Sequence, residues 1–454
     1  MTLQQIKQAL DKHKIDKIKL GGFDTDGILR GKYISREKFL SAAEHGLGFC
    51  DVIFGWDSAD TLYDQPAVTG WHTGYPDALA TIDLSTFRRL PWEEGTAFFL
   101  LDFAKPDGSP LTVSPRQLLQ RVVGKTESMG YVPQASIEYE YWFFREDPDS
   151  ARGKNYCNLT PMSPGMFGYS VLRASVHSDL AHELLNTMRD FDIEIEGHHT
   201  ETGPGVYETA IRVDDALRAA DKAALFKTAV KVLAQKRGLM ATFMAKWNSQ
   251  LPGSSGHVHQ SLMDPRRKKN LFWEGTGKGR KGGMSALMQH YMAGQMALMP
   301  EYSVMLQPTI NSYKRTAPTT LSWAPANVTW GHDNRTAALR AIVTGPKATR
   351  VEHRLPGADA NPYLALAASL ASGLYGEQHK LKLAAPAVNA YTTEAPPLPR
   401  TLKEANQAFS RSRFARDWFG EEFVSFYSMT RDWEVRQFER AVTNWEMERY
   451  FESI

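Results

Sequence analysis

Residues 135–144, ASIEYEYWFF, constrain this chain more than any other stretch. Carboxylates alternate with large apolar residues, and in a strand residues two apart share a face. Glu138 and Glu140 therefore project together, while Ile137, Tyr139 and Tyr141 pack on the opposite side. Two like charges a few ångströms apart ionise together only where a cation or bound base offsets them, and oxygen donors suit Mg²⁺ or Mn²⁺. An edge strand with both glutamates in water is the competing reading of an isolated E-x-E. Further ligands elsewhere in the chain would decide between them.

At 454 residues the chain can bury a large core and has room for two or three domains. Its 42% hydrophobic and 23% charged residues are ordinary for a globular protein, and a net charge of +2 gives no reason to expect a nucleic-acid partner. Cys50 and Cys157 cannot form a disulfide framework, which fits a reducing compartment. The opening residues interleave charge with apolar positions, unlike a signal peptide, and no apolar run is long enough to span a bilayer. A cytoplasmic protein with no membrane partner is expected.

Leu3, Ile6 and Leu10 predict a short amphipathic helix, and IDKIKLGGFDTDGILRGKYI predicts a hairpin around Asp26-Gly27. Residues 49–91 are irregular and rich in Gly, Pro, Asp and Trp, as in a long functional loop system. GTAFFLLDFAKPDGSPL resumes a buried strand, after which a small N-terminal domain closes. Ser114-Pro115 opens a helix, and helical spacing recurs over 177–190 and 215–237. Alternating runs lie between them, so the order argues for an α+β fold with a mainly antiparallel sheet and helices on one side. Residues 275–283, GTGKGRKGG, lack P-loop spacing and read as a surface hairpin. The tail, 432–454, reads as a terminal helix docking Trp445 and Tyr450.

Polar residues recur in strand context. HHTETGPGVYE places Glu201 and Glu208 on either side of a turn, so that they can converge. GHVHQS puts His257 and His259 on one face, and ATRVEHRLP does the same for Arg350, Glu352 and Arg354, a charge row costly to bury unless it lines a site. NSYKR and DNRTAALR add Arg315, Arg335 and Arg340. Together these describe a metal and phosphate site.

These motifs resemble the glutamine synthetases and their γ-glutamyl-amide ligase relatives across essentially the whole chain. The E-x-E strand, E-x-G-P-G-x-x-E, the H-x-H strand, N-S-Y-K-R, N-R-T-A, R-x-E-x-R and ANPYLALAA occur in the family's order and approximate spacing. The resemblance implies a small β-grasp N-terminal domain over 1–110 and a catalytic domain with a curved, mainly antiparallel sheet over 111–454. It implies an ATP-dependent ligase acting on glutamate and an amine, with Mg²⁺ or Mn²⁺ at two sites. Glu140, Glu201 and Glu208 would hold the metal nearer the amino acid, and Glu138, His257 and Glu352 the one that carries the nucleotide phosphates. Arg335 would stabilise the transferring phosphoryl group, while Arg340, Lys347 and Arg350 would contact nucleotide phosphates. His199, His259 and Ser261 match nucleotide-side positions. Arg315 would grip the glutamate α-carboxylate, and Arg354 would contact substrate and γ-phosphate. It further implies a homo-oligomeric double ring, a dodecamer, with sites at subunit interfaces where a neighbour's N-terminal loop brings Asp51 to the funnel.

The chain departs from the family where ammonium binds. After Asp51 stand Val52, Ile53 and Phe54 instead of small polar residues, and the flap glutamate falls on Trp323 counted from Ala324-Pro325, or on Leu321 counted from Arg315. Such an apolar acceptor pocket would hold ammonium poorly and would gain from burying hydrocarbon. An alkyl- or arylamine is the expected nucleophile, with Asp51 or Asp57 taking its proton; the alternatives are an ammonia-using glutamine synthetase and a catalytically silent homologue. Val206 replaces a frequent glutamine, and PGSSGH replaces the usual glutamate loop, with Gly253 and Ser254 at the amino acid. Tyr391 lacks the acidic context of adenylylated relatives, so no such regulation is expected.

Overall fold

Two large sheets organise the chain. The computed structural model describes all residues except 67, 276–281, 318–322 and 392–393. Its first sheet comprises β1 (Lys17–Phe23), β2 (Leu29–Ser35), β3 (Leu47–Cys50), β4 (Asp77–Arg89) and β5 (Thr96–Ala104) in the order β2-β1-β5-β4-β3. β1 and β2 form the expected hairpin, and β1 lies parallel to β5. Gly27 in its turn has φ 78°, and a Cβ there would approach Asn361 to 3.3 Å, so glycine meets both the dihedral and the close contact.

The near-continuous apolar run of β5 follows from burial on both faces. Phe99, Leu101 and Phe103 join Ile6 and Leu10 of the N-terminal helix Leu3–Lys12 in one cluster, whereas Phe98 and Leu100 enter the large core of the catalytic part. The irregular stretch expected over 49–91 ends at Pro76, because β4 is a 13-residue strand antiparallel to β5. Its polar residues belong to a half-exposed face and masked the strand signal. Ile53 and Phe54 are buried in the N-terminal cluster, with Phe54 edge-on to Phe103. Their apolar character thus reflects core packing and not an acceptor pocket within the same chain.

The second sheet contains β6 (Val132–Phe144), β7 (Ile195–Thr200), β8 (Val206–Ile211), β9 (Asp214–Asp215), β10 (Met240–Thr242) and β11 (Gly256–Met263). After the small pair β12 (Trp273–Glu274) and β13 (Gly283–Met284), it is completed by β14 (Trp330–His332), β15 (Leu339–Ile342) and β16 (Arg350–His353). The order is β14-β15-β16-β11-β6-β8-β7, with β9 and β10 also paired to β6, and every pairing is antiparallel except β14 with β15. Pairing of β12 with β13 closes the base of the expected surface hairpin, whose residues 276–281 lie outside the described residues. Ile137, Tyr139, Tyr141 and Phe143 bury one face of β6 in the core formed with helices Pro115–Ser128, Ala216–Lys236, Ala286–Leu306 and Pro362–Gln378. The other face carries the carboxylates.

A buried guanidinium joins the two sheets. Arg116 reaches Asp83 on β4 at 2.7 Å, Asp102 on β5 at 2.9 Å and Asp221 on the Ala216–Lys236 helix at 2.8 Å. The C-terminal helix Asn444–Tyr450 corrects one expectation: Trp445 is 60% exposed and Tyr450 42%, so neither docks on its own chain. The two rings meet edge-on, and Arg449 lies over both. Among the described residues no helix is long and apolar enough to cross a membrane.

Candidate active site

Strand register alone assembles the polar face. Glu138 lies opposite His257, Glu140 opposite Glu208, and Glu208 opposite His199. Further along, Glu352 lies opposite both His259 and Arg340. Cross-strand partners share a face, as do residues two apart, so these side chains must project to one side. Glu201 follows β7 in a turn that closes with Gly205 at φ 73°, where a Cβ would meet the Phe143 carbonyl at 2.7 Å. Only glycine lets that turn return against β6, and the return brings Glu201 beside Glu208.

The side chains converge closely. His257 Nδ1 stands 3.5 Å from Glu138, 3.6 Å from Glu352 and 3.8 Å from Glu208, and although buried it has no hydrogen-bond partner among the described residues. An unpaired ring nitrogen amid three carboxylates is the arrangement a divalent cation completes, and the mixed oxygen and nitrogen donor set fits Mg²⁺ or Mn²⁺. Three groups bring ligand atoms within 4.8 Å of one another: Glu138, His259 and Glu352; Glu138, Glu208 and His257; and His199, Glu201 and Glu208. Glu140 stands outside these groups and accepts from the Ser255 amide at 2.7 Å. Glu138, Glu201, Glu208, His257 and Glu352 thus fall within these groups, with His199 and His259 drawn in among them, while the sixth expected ligand, Glu140, does not.

Crowding of acids sets the electrostatics. Burial, followed by the charges of Glu140, Glu138 and Glu201, pushes the Glu208 carboxyl up to about 10. Burial also opposes ionisation of Glu138, but the neighbouring His257 and His259 imidazoles outweigh that and hold its carboxyl far below the usual range. Glu352, similarly buried, is brought down to about 2 by His257, His259, Arg354 and Arg340.

A cavity of about 410 Å³ opens beside this cluster, lined by Glu140, Glu201, Glu208, His257, Gly253, Arg315, Arg335 and Arg354 among others. That volume suits a small substrate. Arg315 is buried and donates to Ser255 Oγ at 3.2 Å and to the Leu355 carbonyl. Gly253 lies so close that a Cβ would meet Arg315 Cγ at 2.5 Å. Arg354 donates to Glu352, while Arg340 bridges Glu352 at 2.8 Å and Asp333 at 2.6 Å. Arg335 and Trp323 line both this cavity and an outer pocket with His332, Asn334 and Tyr391. Trp323 is 65% exposed at that junction, whereas Leu321 lies outside the described residues.

Other expected site residues sit apart from the cavity wall. Arg350 donates to His259 Nδ1 at 3.1 Å, Ser261 continues the polar face of β11, and Lys347 is exposed between β15 and β16. Asp51 begins the short helix Asp51–Phe54 after β3 and accepts from Thr69 Oγ1 at 2.6 Å; burial pushes its carboxyl up. Asp57 accepts from Trp433 Nε1 at 3.0 Å and from the amides of Ala59 and Thr61, which fixes its own loop. Ser254 is buried and accepts from Trp142 Nε1 at 2.8 Å, so Gly253 and Ser255 face the cavity instead.

The cavity also has a wall that sequence reasoning missed, formed by Met166, Tyr169 and Thr202. Tyr169 has φ 54° and stacks on His199 at 4.4 Å. Its amide donates to the Thr200 carbonyl at 2.7 Å, and the Ser170 amide donates to Thr200 Oγ1 at 2.9 Å, so this loop is strapped to the end of β7. Its sequence, SPGMFGYS, carries no charge and no periodicity. The only signal there was a pair of glycines flanking exposed apolar residues.

A curved antiparallel sheet whose polar face gathers acids, imidazoles and arginines defines a class of ATP-dependent ligases that form C–N bonds. Residues 112–450 match the family described as glutamine synthetase, catalytic domain. The chain belongs to the glutamine synthetase family. It is 47% identical to type-1 glutamine synthetase 2 of Dictyostelium discoideum over 98% of this chain and 86% of that protein. It is 43% identical to a glutamate–isopropylamine ligase of a Pseudomonas species over 99% of this chain and 98% of that protein. A solved structure described as a GmaS/ADP complex superposes with a TM-score of 0.85 at 26% identity, covering 98% of each chain.

Proposed function

We propose that the protein joins the γ-carboxyl of glutamate to an organic primary amine, an alkyl- or arylamine, through a γ-glutamyl phosphate. The observation that carries this reading is the tryptophan at the cavity mouth. No acidic residue occurs between Arg315 and Asp333 in the sequence, and the acids lining the cavity are Glu140, Glu201 and Glu208 among the described residues. Glu201 and Glu208 belong to the metal cluster and Glu140 accepts from the Ser255 amide beside it, which leaves no flap carboxylate for ammonium. Met166, Tyr169, Trp323 and Ala324 instead offer an apolar rim suited to hydrocarbon. The 43% identical isopropylamine ligase supports an amine nucleophile.

In this reading Arg315 holds the α-carboxylate of glutamate with Gly253 close by, and a γ-carboxylate oxygen attacks the γ-phosphorus of ATP. ADP leaves. Glu138, His257 and Glu352 on one side and Glu201, Glu208 and Glu140 on the other would hold divalent cations, which would supply charge neutralisation and alignment. Arg335 and Arg354 stabilise the transferring phosphoryl group, and Arg340, Lys347, Arg350, His259 and Ser261 serve the nucleotide. The amine nitrogen then attacks the acyl carbon, phosphate leaves, and the ammonium proton passes to a carboxylate. Asp51 of a neighbouring copy is our choice for that base, since Asp57 is committed to Trp433 and its own loop. Exposed Trp71, Val171, Leu172 and Trp445 support a homo-oligomer that covers them, as in a double ring.

The test is phosphate release with ATP and glutamate across a panel of amines, with products weighed by mass spectrometry. We expect γ-glutamyl amides of alkyl- or arylamines and weak turnover of ammonia. A lower KM for ammonia than for every amine tried would favour the competing reading, an ammonia-using glutamine synthetase, which the 47% identical relative supports. Absence of ATP hydrolysis with any nucleophile would favour a silent homologue.

A further inference from the structure

We infer that the turn over residues 266–269 is a cationic approach surface for ATP, which raises the affinity of the nucleotide side of the cavity through charge acting across solvent. The inference rests on the ATP-dependent reading above but not on the choice of amine.

Composition does not account for this turn. Lys and Arg make up 53 of the 454 residues and are nearly balanced by 51 acids, yet residues 264–270, DPRRKKN, set four cations in succession. The one acid of the segment is engaged by the backbone. Asp264 Oδ1 accepts from the Lys268 and Lys269 amides at 2.7 and 2.6 Å, and its Oδ2 accepts from the Arg266 amide at 3.3 Å. Arg267 turns the chain at φ 56°, and its guanidinium meets Asp215 on β9. Arg266, Lys268 and Lys269 are exposed, and among the described residues none of the three makes an ion pair. Neighbouring cations without counter-charges repel one another. The fold does not require them, because the turn closes on Asp264 and on main-chain groups.

The position of the turn gives those charges a use. It directly follows β11, the strand that carries His259 and Ser261, and Asp264 stands three residues, about 10 Å of strand, beyond Ser261. Its exit is pinned: Asn270 Nδ2 donates to the Thr349 carbonyl at 2.6 Å, and the Leu271 amide donates to the Leu262 carbonyl at 2.8 Å. Thr349 lies between Lys347 and Arg350 in the chain, so the turn is held against the connection from β15 to β16. That connection, 343–349, VTGPKAT, contributes Lys347 and no acid. Two segments therefore bring unopposed positive charge to one edge of the sheet, while the carboxylates gather farther back along β11 around His257 and His259. A region of single sign at the mouth of a cleft concentrates ligands of the opposite sign, and a triphosphate is the most highly charged substrate in the reading above.

The experiment is titration of the full-length protein with MgATP at two ionic strengths, comparing wild type with a variant that combines Arg266→Gln, Lys268→Gln and Lys269→Gln. At about 0.01 M, where fields reach roughly 30 Å, the neutral variant should bind MgATP about three- to tenfold more weakly. At about 1 M, where they reach roughly 3 Å, the two proteins should agree. A charge-conserving variant, Arg266→Lys with Lys268→Arg and Lys269→Arg, should keep the wild-type affinity. The neutral variant should melt no lower than wild type and keep its glutamate KM and its kcat at saturating ATP. Equal MgATP affinity of wild type and neutral variant at low ionic strength would overturn the inference. A loss that persists undiminished at high ionic strength would also overturn it, since that marks a distorted turn or a direct contact. Failure of the wild-type protein to bind MgATP at all would overturn the ATP-dependent reading and the inference together.

Discussion

Glu208 concentrates the tension of the site. Its folded-state carboxyl, pushed up to about 10, lies above the ordinary value of 4.5. A group raised in this way contributes stability that is fully present below the unfolded value and is lost as pH rises through the folded one. Metal-free protein should therefore lose thermal stability between about pH 5 and pH 9, and Glu208→Gln should flatten that slope. The variant should melt no lower than wild type without metal, yet lose the melting shift on Mn²⁺ addition and about 100-fold or more of the activity. Calorimetry in buffers of different ionisation enthalpy should also register about one proton released from Glu208 as the cation arrives near neutral pH. Trp323 belongs to the same scale. Trp323→Glu would return a carboxylate to the flap, and we expect it to lower the KM for ammonia at least tenfold while weakening use of alkylamines.

At the scale of elements, the period-two faces of the strands made much of the site legible. Once Glu138 and Glu140 were set on one face of a strand, the register of β8 and β11 required Glu208 and His257 to join them. Pairing partners could not be read from residue types, however, and for that reason the mixing of His199 and His259 into the acid clusters emerges only from the sheet. The strap over 165–170 was illegible for a related reason: its hydrogen bonds to β7 run through backbone groups and one threonine hydroxyl. Thr200→Val removes the hydroxyl that accepts from Ser170 and donates to Phe167 at 3.2 Å. We expect a stability loss of about 1–3 kcal/mol, read by denaturant titration, and a raised KM for the amine with glutamate KM little changed.

For the whole molecule, the N-terminal sheet is locked to the catalytic part by charge as well as by apolar burial. Arg116 is buried against three aspartates drawn from both parts of the chain. Its replacement by methionine would strand Asp83, Asp102 and Asp221, at a cost of about 3–5 kcal/mol in equilibrium unfolding. The proposed division into 1–110 and 111–454 therefore separates two folding patterns more than two independent bodies, a distinction invisible in sequence because the network spans distant segments. The exposed C-terminal helix likewise misled a single-chain reading, since amphipathic pattern states that a face will be covered and not by what. The central claim, that this cavity selects an organic amine over ammonia, is tested most directly by internal competition. Equal concentrations of ¹⁵N-ammonia and isopropylamine are offered together with ATP and glutamate, and the product masses are compared. We predict that the γ-glutamyl alkylamide dominates; a product pool dominated by ¹⁵N-glutamine would contradict it.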